Sequence, residues 1–491
     1  MSPRLAEVEA VVGKLPSQMF IGGAHTEAAN GERFDTQDPG TGAVIGSVPA
    51  GGAADIDAAV ANAKSALGGP WSQMAPRDRG RLLWNIGEAI RANVERFALI
   101  ETLDQGKPLN EARVSIQRTA DYFCYYAGMV DKLQGETIPL GASKTCFTLL
   151  EPIGVTGHIV PWNVPVSMIA RGVAPALACG NTAVVKPAED TPLSAILLAE
   201  LMVETGLPPG VCNLVTGFGE VAGAALAAHA DVGHVTFTGS VETGKAVMSA
   251  AASHLASVTL ELGGKSPHLI LQDADLDKVV PNARSGVYRN AGQICSAGTR
   301  LLAEDAICDE LTERLVEGAQ KMTVGHGLDN PDMGPLISNR QLQTVTGYVE
   351  RAKERGIEFP TGGNAPVIKG CEGGYYFEPT VATHVPASDE LAQEEVFGPV
   401  LAVMSVSSLE EAIEIANGTA YGLAAGIHTQ DISKAMKFAR EVEAGQVFIN
   451  GYHGAGDTVP FGGFKQSGIG REKGLAALAN YCETKAVTVT T

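Results

Sequence analysis

The feature that most limits what this chain can fold into is a rhythm repeated between residues 154 and 244. An apolar run over 154–160 ends in Pro161-Trp162-Asn163-Val164-Pro165 and passes into a helical pattern over 166–178. A second run, 182–185, is followed by Lys186-Pro187-Ala188-Glu189 and a helix over 192–205. A third, 211–215, leads to Thr216-Gly217-Phe218-Gly219-Glu220 and an alanine-rich helix over 221–228, and a fourth, 234–237, leads to Thr238-Gly239-Ser240 and on to Gly244. Strand, polar or glycine turn, helix, at intervals of about 25–30 residues, is the alternation of a doubly wound parallel sheet.

In such a sheet ligands sit beyond the carboxyl ends of the strands, where these turns gather. Helix N-termini there offer unpaired N–H groups to a pyrophosphate. None of the turns is a full Gly-x-Gly-x-x-Gly: Gly217-Phe218-Gly219 lacks the third glycine, and 239–244 lacks the middle one. Each alone reads as a tight turn; in series they point to a nucleotide. Glu189 has two readings. It either accepts both hydroxyls of an adenosine ribose, repelling a 2′-phosphate and favouring NAD over NADP, or it is a helix-start carboxylate stabilised by the dipole.

Bulk properties set the limits around this unit. At 491 residues the chain exceeds one ordinary core, so two or three domains are expected. A net charge of −19 argues against nucleic acid and anionic membrane surfaces as partners. No run approaches the ~18 apolar residues of a membrane span, and residues 1–15 hold no apolar secretory segment. The eight cysteines are scattered without a Cys-x-x-Cys pair, and the ten histidines form no His-Glu-x-x-His. A disulfide framework and a metal site therefore lack support, and a reducing cytoplasm is the expected compartment.

Residues 19–52 read as short strands and turns around Asp38-Pro39-Gly40-Thr41-Gly42. Helices are predicted over 55–67, over 76–103 as one continuous element, and over 111–132, with Tyr122, Phe123, Tyr125 and Tyr126 as packing. From Lys265 a second α/β unit begins: a strand over 269–271 and helices over 277–288, 307–322 and 341–355. Ser408-Leu409-Glu410-Glu411 is a capping box opening a helix to Asn417, and 447–450 reads as a buried strand. The glycine-rich stretch 451–470 is too long for a turn and should line a cleft. The alternating pattern over 485–490 is a terminal strand, of the kind that pairs with a neighbouring subunit.

Chemistry gathers at Gly292-Gln293-Ile294-Cys295-Ser296-Ala297-Gly298. Glycines on both sides let backbone approach a ligand and give the thiol the access a nucleophile needs. The alternative is that Cys295 fills a core gap, as free cysteines commonly do. Upstream, Glu261-Leu262-Gly263-Gly264-Lys265 sets a carboxylate against another glycine pair. Cysteine and carboxylate together are the skeleton of covalent catalysis on a carbonyl.

These clusters, with Glu395-Val396-Phe397-Gly398-Pro399 and Pro460-Phe461-Gly462-Gly463, resemble the NAD(P)-dependent aldehyde dehydrogenase superfamily across essentially the whole chain. The resemblance implies an NAD-dependent, hydrolytic enzyme with Cys295 as nucleophile, Glu261 as general base and Asn163 as oxyanion donor. It assigns Lys186 and Glu189 to the adenosine ribose, Ser240 and Gly219 to the pyrophosphate and adenine, Glu395 to the nicotinamide ribose and Phe397 to the ring. Ile159, Trp162 and Leu262 also fall at cofactor-contacting positions. It further implies a doubly wound cofactor domain (1–131 and 151–263), an α/β catalytic domain (264–466) and a small β arm (132–150 and 479–491) that makes a homodimer or homotetramer. The aldehyde tunnel would be lined by Arg171, Arg289, Met168 and Ile294. The two arginines either grip a substrate carboxylate, as in members acting on succinate semialdehyde, or turn outward to structural carboxylates. Val164, Met168 and Ile294 would instead suit an aromatic or aliphatic tail, and Asp457, if it faces the tunnel, would oppose an anion. Two other readings stand beside hydrolysis: acyl transfer to coenzyme A, which a base at Glu261 disfavours, and a catalytically idle scaffold, which the intact chemical residues disfavour.

Overall fold

The structure, a computed structural model, describes residues 3–452, 454 and 456–490. The repeated rhythm is a sheet of five parallel strands, in the spatial order Cys212–Leu214, Thr182–Lys186, Val155–Ile159, His234–Thr238 and Ser257–Glu261. Counted along the chain that order is third, second, first, fourth, fifth. The winding therefore reverses between Val155–Ile159 and His234–Thr238, and a crevice opens beyond their carboxyl ends. Antiparallel strands complete the edges: Met19–Ile21 and Ala24–Thr26 on one side, Gly468–Ile469 on the other.

Burial on both faces explains why these strands read as continuous runs. Ala183 and Val185 enter one core, while Val184 enters the other. On the first face lies Pro165–Ala178, buried at every position, beside Leu193–Glu204. On the second, Ile56, Ala59 and Val60 of Ala53–Leu67 and Val247 of Val241–Ala252 close the layer.

A second sheet has six parallel strands in the order Thr380–Thr383, Val400–Val406, Arg300–Glu304, Pro267–Ile270, Ala424–His428 and Gln446–Ile449, with Glu358–Thr361 antiparallel at one edge. A small antiparallel sheet joins Cys482–Thr490 to Lys144–Pro152 and Thr137–Pro139. The terminal strand, expected to reach a neighbouring subunit, thus has its partner within its own chain.

Other elements depart from the sequence pattern for local reasons. The first turn of the chain is a helix, Pro3–Val12, which buries Leu5 and Val8. The expected helix over 76–103 is two, Pro76–Ala92 and Val94–Gln105, broken at Asn93, whose Nδ2 donates to Ala89 O (2.8 Å). A π-turn, Gly219–Gly223, replaces the start of the third crossover helix. The strand expected to be buried, Gln446–Ile449, is the sheet's edge, so only Gln446 is buried and Ile449 is exposed. In the capping box Ser408 Oγ accepts from Glu411 N (3.2 Å), but Glu411 reaches back to Ser407 N (2.7 Å), one residue further than expected.

Candidate active site

The segment carrying Cys295 is bent by three successive left-handed residues, Asn290 (φ 49°), Ala291 (φ 54°) and Gly292 (φ 74°). Only asparagine and glycine enter this region readily, so Ala291 must be held there by its surroundings. The bend is fixed by Gln293, whose Nε2 donates to Asn290 O (2.9 Å) while its Oε1 accepts from Ile337 N (2.9 Å). A Cβ on Gly292 would stand 2.1 Å from Gly398 O, so backbone meets backbone there. Cys295 is thereby turned, partly exposed, into a cavity of about 380 Å³ whose wall also holds Asn163, Glu395 and Phe397. Burial pushes its thiol up to about 12, with Arg171 acting in the opposite direction.

Asn163 sits on the same wall. Its carbonyl accepts from Lys107 Nζ and from Asn290 Nδ2, each at 3.0 Å. Its Nδ2 donates to Gln293 O at 2.9 Å, which leaves the second amide hydrogen for a ligand. Lys107 is in turn paired with Glu101 at 2.7 Å, both fully buried. The amide is therefore fixed through its backbone by a buried cation.

Glu261 ends the strand Ser257–Glu261 and is buried beside, rather than on, the cavity wall. Neither carboxylate oxygen has a hydrogen-bond partner; Arg171 Nη2 stands 3.8 Å away. Burial raises this acid well above the ordinary carboxylate range, Glu472 adds to the rise, and Arg171 opposes it. Three residues on, the chain touches the backbone of Cys295: a Cβ on Gly264 would lie 2.4 Å from Cys295 O. The two glycine-flanked motifs thus pack against each other.

At the crevice, the 161–163 and 238–240 turns both reach the cavity. Ser240 caps the helix Val241–Ala252 by accepting from Thr243 N (3.2 Å). Trp162 and Phe397 meet edge to face at 5.3 Å, and Leu262 lies on the same wall. Glu395 accepts from Gly264 N (3.0 Å), and a Cβ on Gly263 would crowd it at 2.3 Å; burial raises its carboxyl to about 7. Beyond the cavity, Ile159 and Lys186 end paired strands, and Lys186 holds Glu189 at 2.8 Å with Gly219 alongside. A lysine–carboxylate pair, a free helix N-terminus and a second carboxylate suit the diols and pyrophosphate of a dinucleotide.

The aldehyde dehydrogenase family profile matches residues 25–487. The chain is 43% identical to aldehyde dehydrogenase family 2 member C4 of Arabidopsis thaliana over 98% of its own length and 97% of that protein's. It belongs to the aldehyde dehydrogenase family. Among solved structures, the NAD⁺ complex of an aldehyde dehydrogenase from Bacillus cereus superposes with a TM-score of 0.96 at 42% identity, covering 100% of this chain and 99% of that one. Betaine aldehyde dehydrogenase from Staphylococcus aureus, also with NAD⁺, gives 0.97 at 38% identity, covering 99% and 98%.

On the substrate side of this aldehyde dehydrogenase, Arg171, Arg289, Met168 and Ile294 all reach the cavity. Arg171 is not free there. Its Nε pairs with buried Glu472, Nη1 approaches Met168 Sδ (3.5 Å), and its guanidinium lies 4.2 Å over Phe461. Arg289 stands in the field of Glu111. Tyr122, expected only to pack, is buried but also lines the cavity, as do Arg118 and Lys473. Asp457 lies in the field of Lys473 and Arg118, and its Oδ1 has no hydrogen-bond partner. Lys107, Asn290, Glu472, Lys473 and Arg118 had no local signal. Gly106-Lys107-Pro108 reads as a helix stop, and Asn290, Glu472, Lys473 and Arg118 also meet Asn163, Arg171, Tyr122 and Asp457, each more than a hundred residues away. Among the described residues no helix is long and apolar enough to cross a membrane, and no group of three metal-binding side chains occurs.

Proposed function

We propose that this enzyme oxidises an aldehyde to the carboxylic acid, with NAD⁺ as hydride acceptor and water as the acyl acceptor. Lys186, Glu189, Ser240 and Glu395 would hold the dinucleotide, and Glu189 disfavours the 2′-phosphate of NADP. When bound, the nicotinamide supplies the hydride-accepting carbon. Every other step belongs to side chains of this chain.

Cys295 gives its proton to water in the open cavity and its sulfur attacks the aldehyde carbon, giving a tetrahedral thiohemiacetal. The free Asn163 amide hydrogen meets the oxyanion, a contribution of roughly 3–4 kcal/mol for such a donor. Loss of hydride leaves a thioester on Cys295. Glu261 then takes a proton from water, the hydroxyl oxygen adds to the acyl carbon, and the carboxylic acid leaves as the thiol is restored. Because the Glu261 oxygens hold no hydrogen bond, swinging the carboxylate from beside Arg171 toward the sulfur breaks none. A raised carboxylate pKa also suits a base working near neutrality. Such a base beside a thioester works against transfer to coenzyme A.

The observation that carries this reading is the meeting of the Cys295 thiol, the Asn163 amide and the cofactor-side carboxylate Glu395 on one cavity wall, with Glu261 buried behind it. Exposed Ile138, Leu149, Leu150 and Val489 on the small antiparallel sheet support assembly as a homodimer or homotetramer. The test is Glu261→Gln. It should release one NADH per active site in a burst and then turn over slowly; steady turnover at the parent rate without a burst removes Glu261 as base.

A further inference from the structure

The wall of the cavity formed by helix Leu109–Ala127 and the loop after Gly468–Ile469 carries two basic side chains, Arg118 and Lys473, that no carboxylate of the described residues grips. Three basic side chains meet there: Arg118 from the helix, Arg171 from Pro165–Ala178, and Lys473 from the loop, whose amine pKa burial lowers to about 7. They face the carboxylates Asp457 and Glu472, and Glu261 lies in the field of Arg171 and Lys473. Glu472 is consumed by Arg171, with which it forms a buried ion pair. Asp457 stands in the field of Lys473 and Arg118 without gripping either. Among the described residues, Lys473 and Arg118 form no hydrogen bond or ion pair, and both reach the cavity. Lys473 Nζ is held 5.1 Å from the Phe461 ring centroid and 6.0 Å from that of Tyr122, so aromatic faces rather than water flank it. A cation kept in such a place favours an anionic ligand.

We infer that the substrate is an aldehyde bearing a carboxylate at its far end, and that Lys473 with Arg118 forms the seat of that carboxylate. Arg171, held by Glu472, shapes the wall instead of gripping substrate. Phe461 and Met168 pack on the carbon chain between the carboxylate and the aldehyde carbon at Cys295. This assignment rests on Cys295 being the nucleophile of the proposed reaction.

The experiment compares kcat/KM within matched pairs: succinic semialdehyde against butanal, and terephthalaldehydic acid against benzaldehyde. The parent enzyme should prefer the charged member of at least one pair by roughly 10–100-fold, the range of a charge-assisted hydrogen bond. Lys473→Met and Arg118→Gln should each lower that preference about tenfold, and Lys473→Arg should retain most of it. Equal use of charged and neutral aldehydes by the parent overturns the seat. So does a preference unmoved by both variants, or one that collapses only in Arg171→Leu. Failure of the parent to oxidise any of the four aldehydes overturns the proposed function itself.

Discussion

Gly264 offers the sharpest test of how the active site is held, because it touches the nucleophile through backbone alone. Replacing it by alanine places a Cβ 2.4 Å from Cys295 O and 3.2 Å from Leu423 Cβ, where ordinary contacts begin near 3.4 Å. About 1 Å of displacement is needed, and the carbonyl cannot rotate away as a side chain would. The Cys295 segment is already pinned on its other side, where Gly292 leaves no space before Gly398 O. The displacement therefore falls on the sulfur. Misplacing a reacting atom by that distance costs on the order of 100-fold in rate. Gly264→Ala should lower kcat by that factor in a steady-state NADH assay, while direct titration with NAD⁺ and the thermal midpoint show the protein folded and binding. A kcat within a factor of about three of the parent, less than 1 kcal/mol in the barrier, would refute the packing argument.

Two further outcomes follow from the same geometry. Burial raises the Cys295 thiol to about 12, so in the cofactor-free enzyme its thiolate fraction climbs with pH, about tenfold per unit, throughout the range below that value. Iodoacetamide should alkylate it ever faster from neutrality to about pH 9, after subtraction of the Cys295→Ala background; a plateau inside that range would show a thiolate already formed. Lys107→Met leaves Glu101 buried without its cation, a loss of about 3–5 kcal/mol, and removes a donor from Asn163 O. A clearly lower thermal midpoint is expected, and an unchanged one would show that the buried pair contributes little.

The winding of the first sheet was legible because its parallel strands are covered on both faces and are punctuated by glycine and proline at their carboxyl ends. The chemistry was legible for a related reason: Gly263, Gly264 and Gly292 mark close approaches, and such approaches leave a mark in local sequence. The Lys473 and Arg118 pair left none. A lysine after Arg471-Glu472 looks like any solvated charge until the loop is seen folded against helix Leu109–Ala127. The break at Asn93 was hidden because apolar spacing continues through it, and only the Asn93-to-Ala89 bond interrupts the helix. Gln446–Ile449 read as interior because its apolar content matches a central strand, although its edge position is set by strand order, a property of the whole sheet. Arg171 lines the cavity, yet its grip on Glu472 depends on a residue three hundred positions away.

The first sheet takes one border from Met19–Ile21 and the opposite border from Gly468–Ile469, which lies directly against Glu261. During synthesis the five central strands can assemble long before that last border leaves the ribosome. Until it does, the strand bearing Glu261 has a bare flank, and Glu472 and Lys473 are not yet in place. A chain that stops short of residue 468 therefore has the parallel strands and their crevice without the border that closes the flank of Glu261.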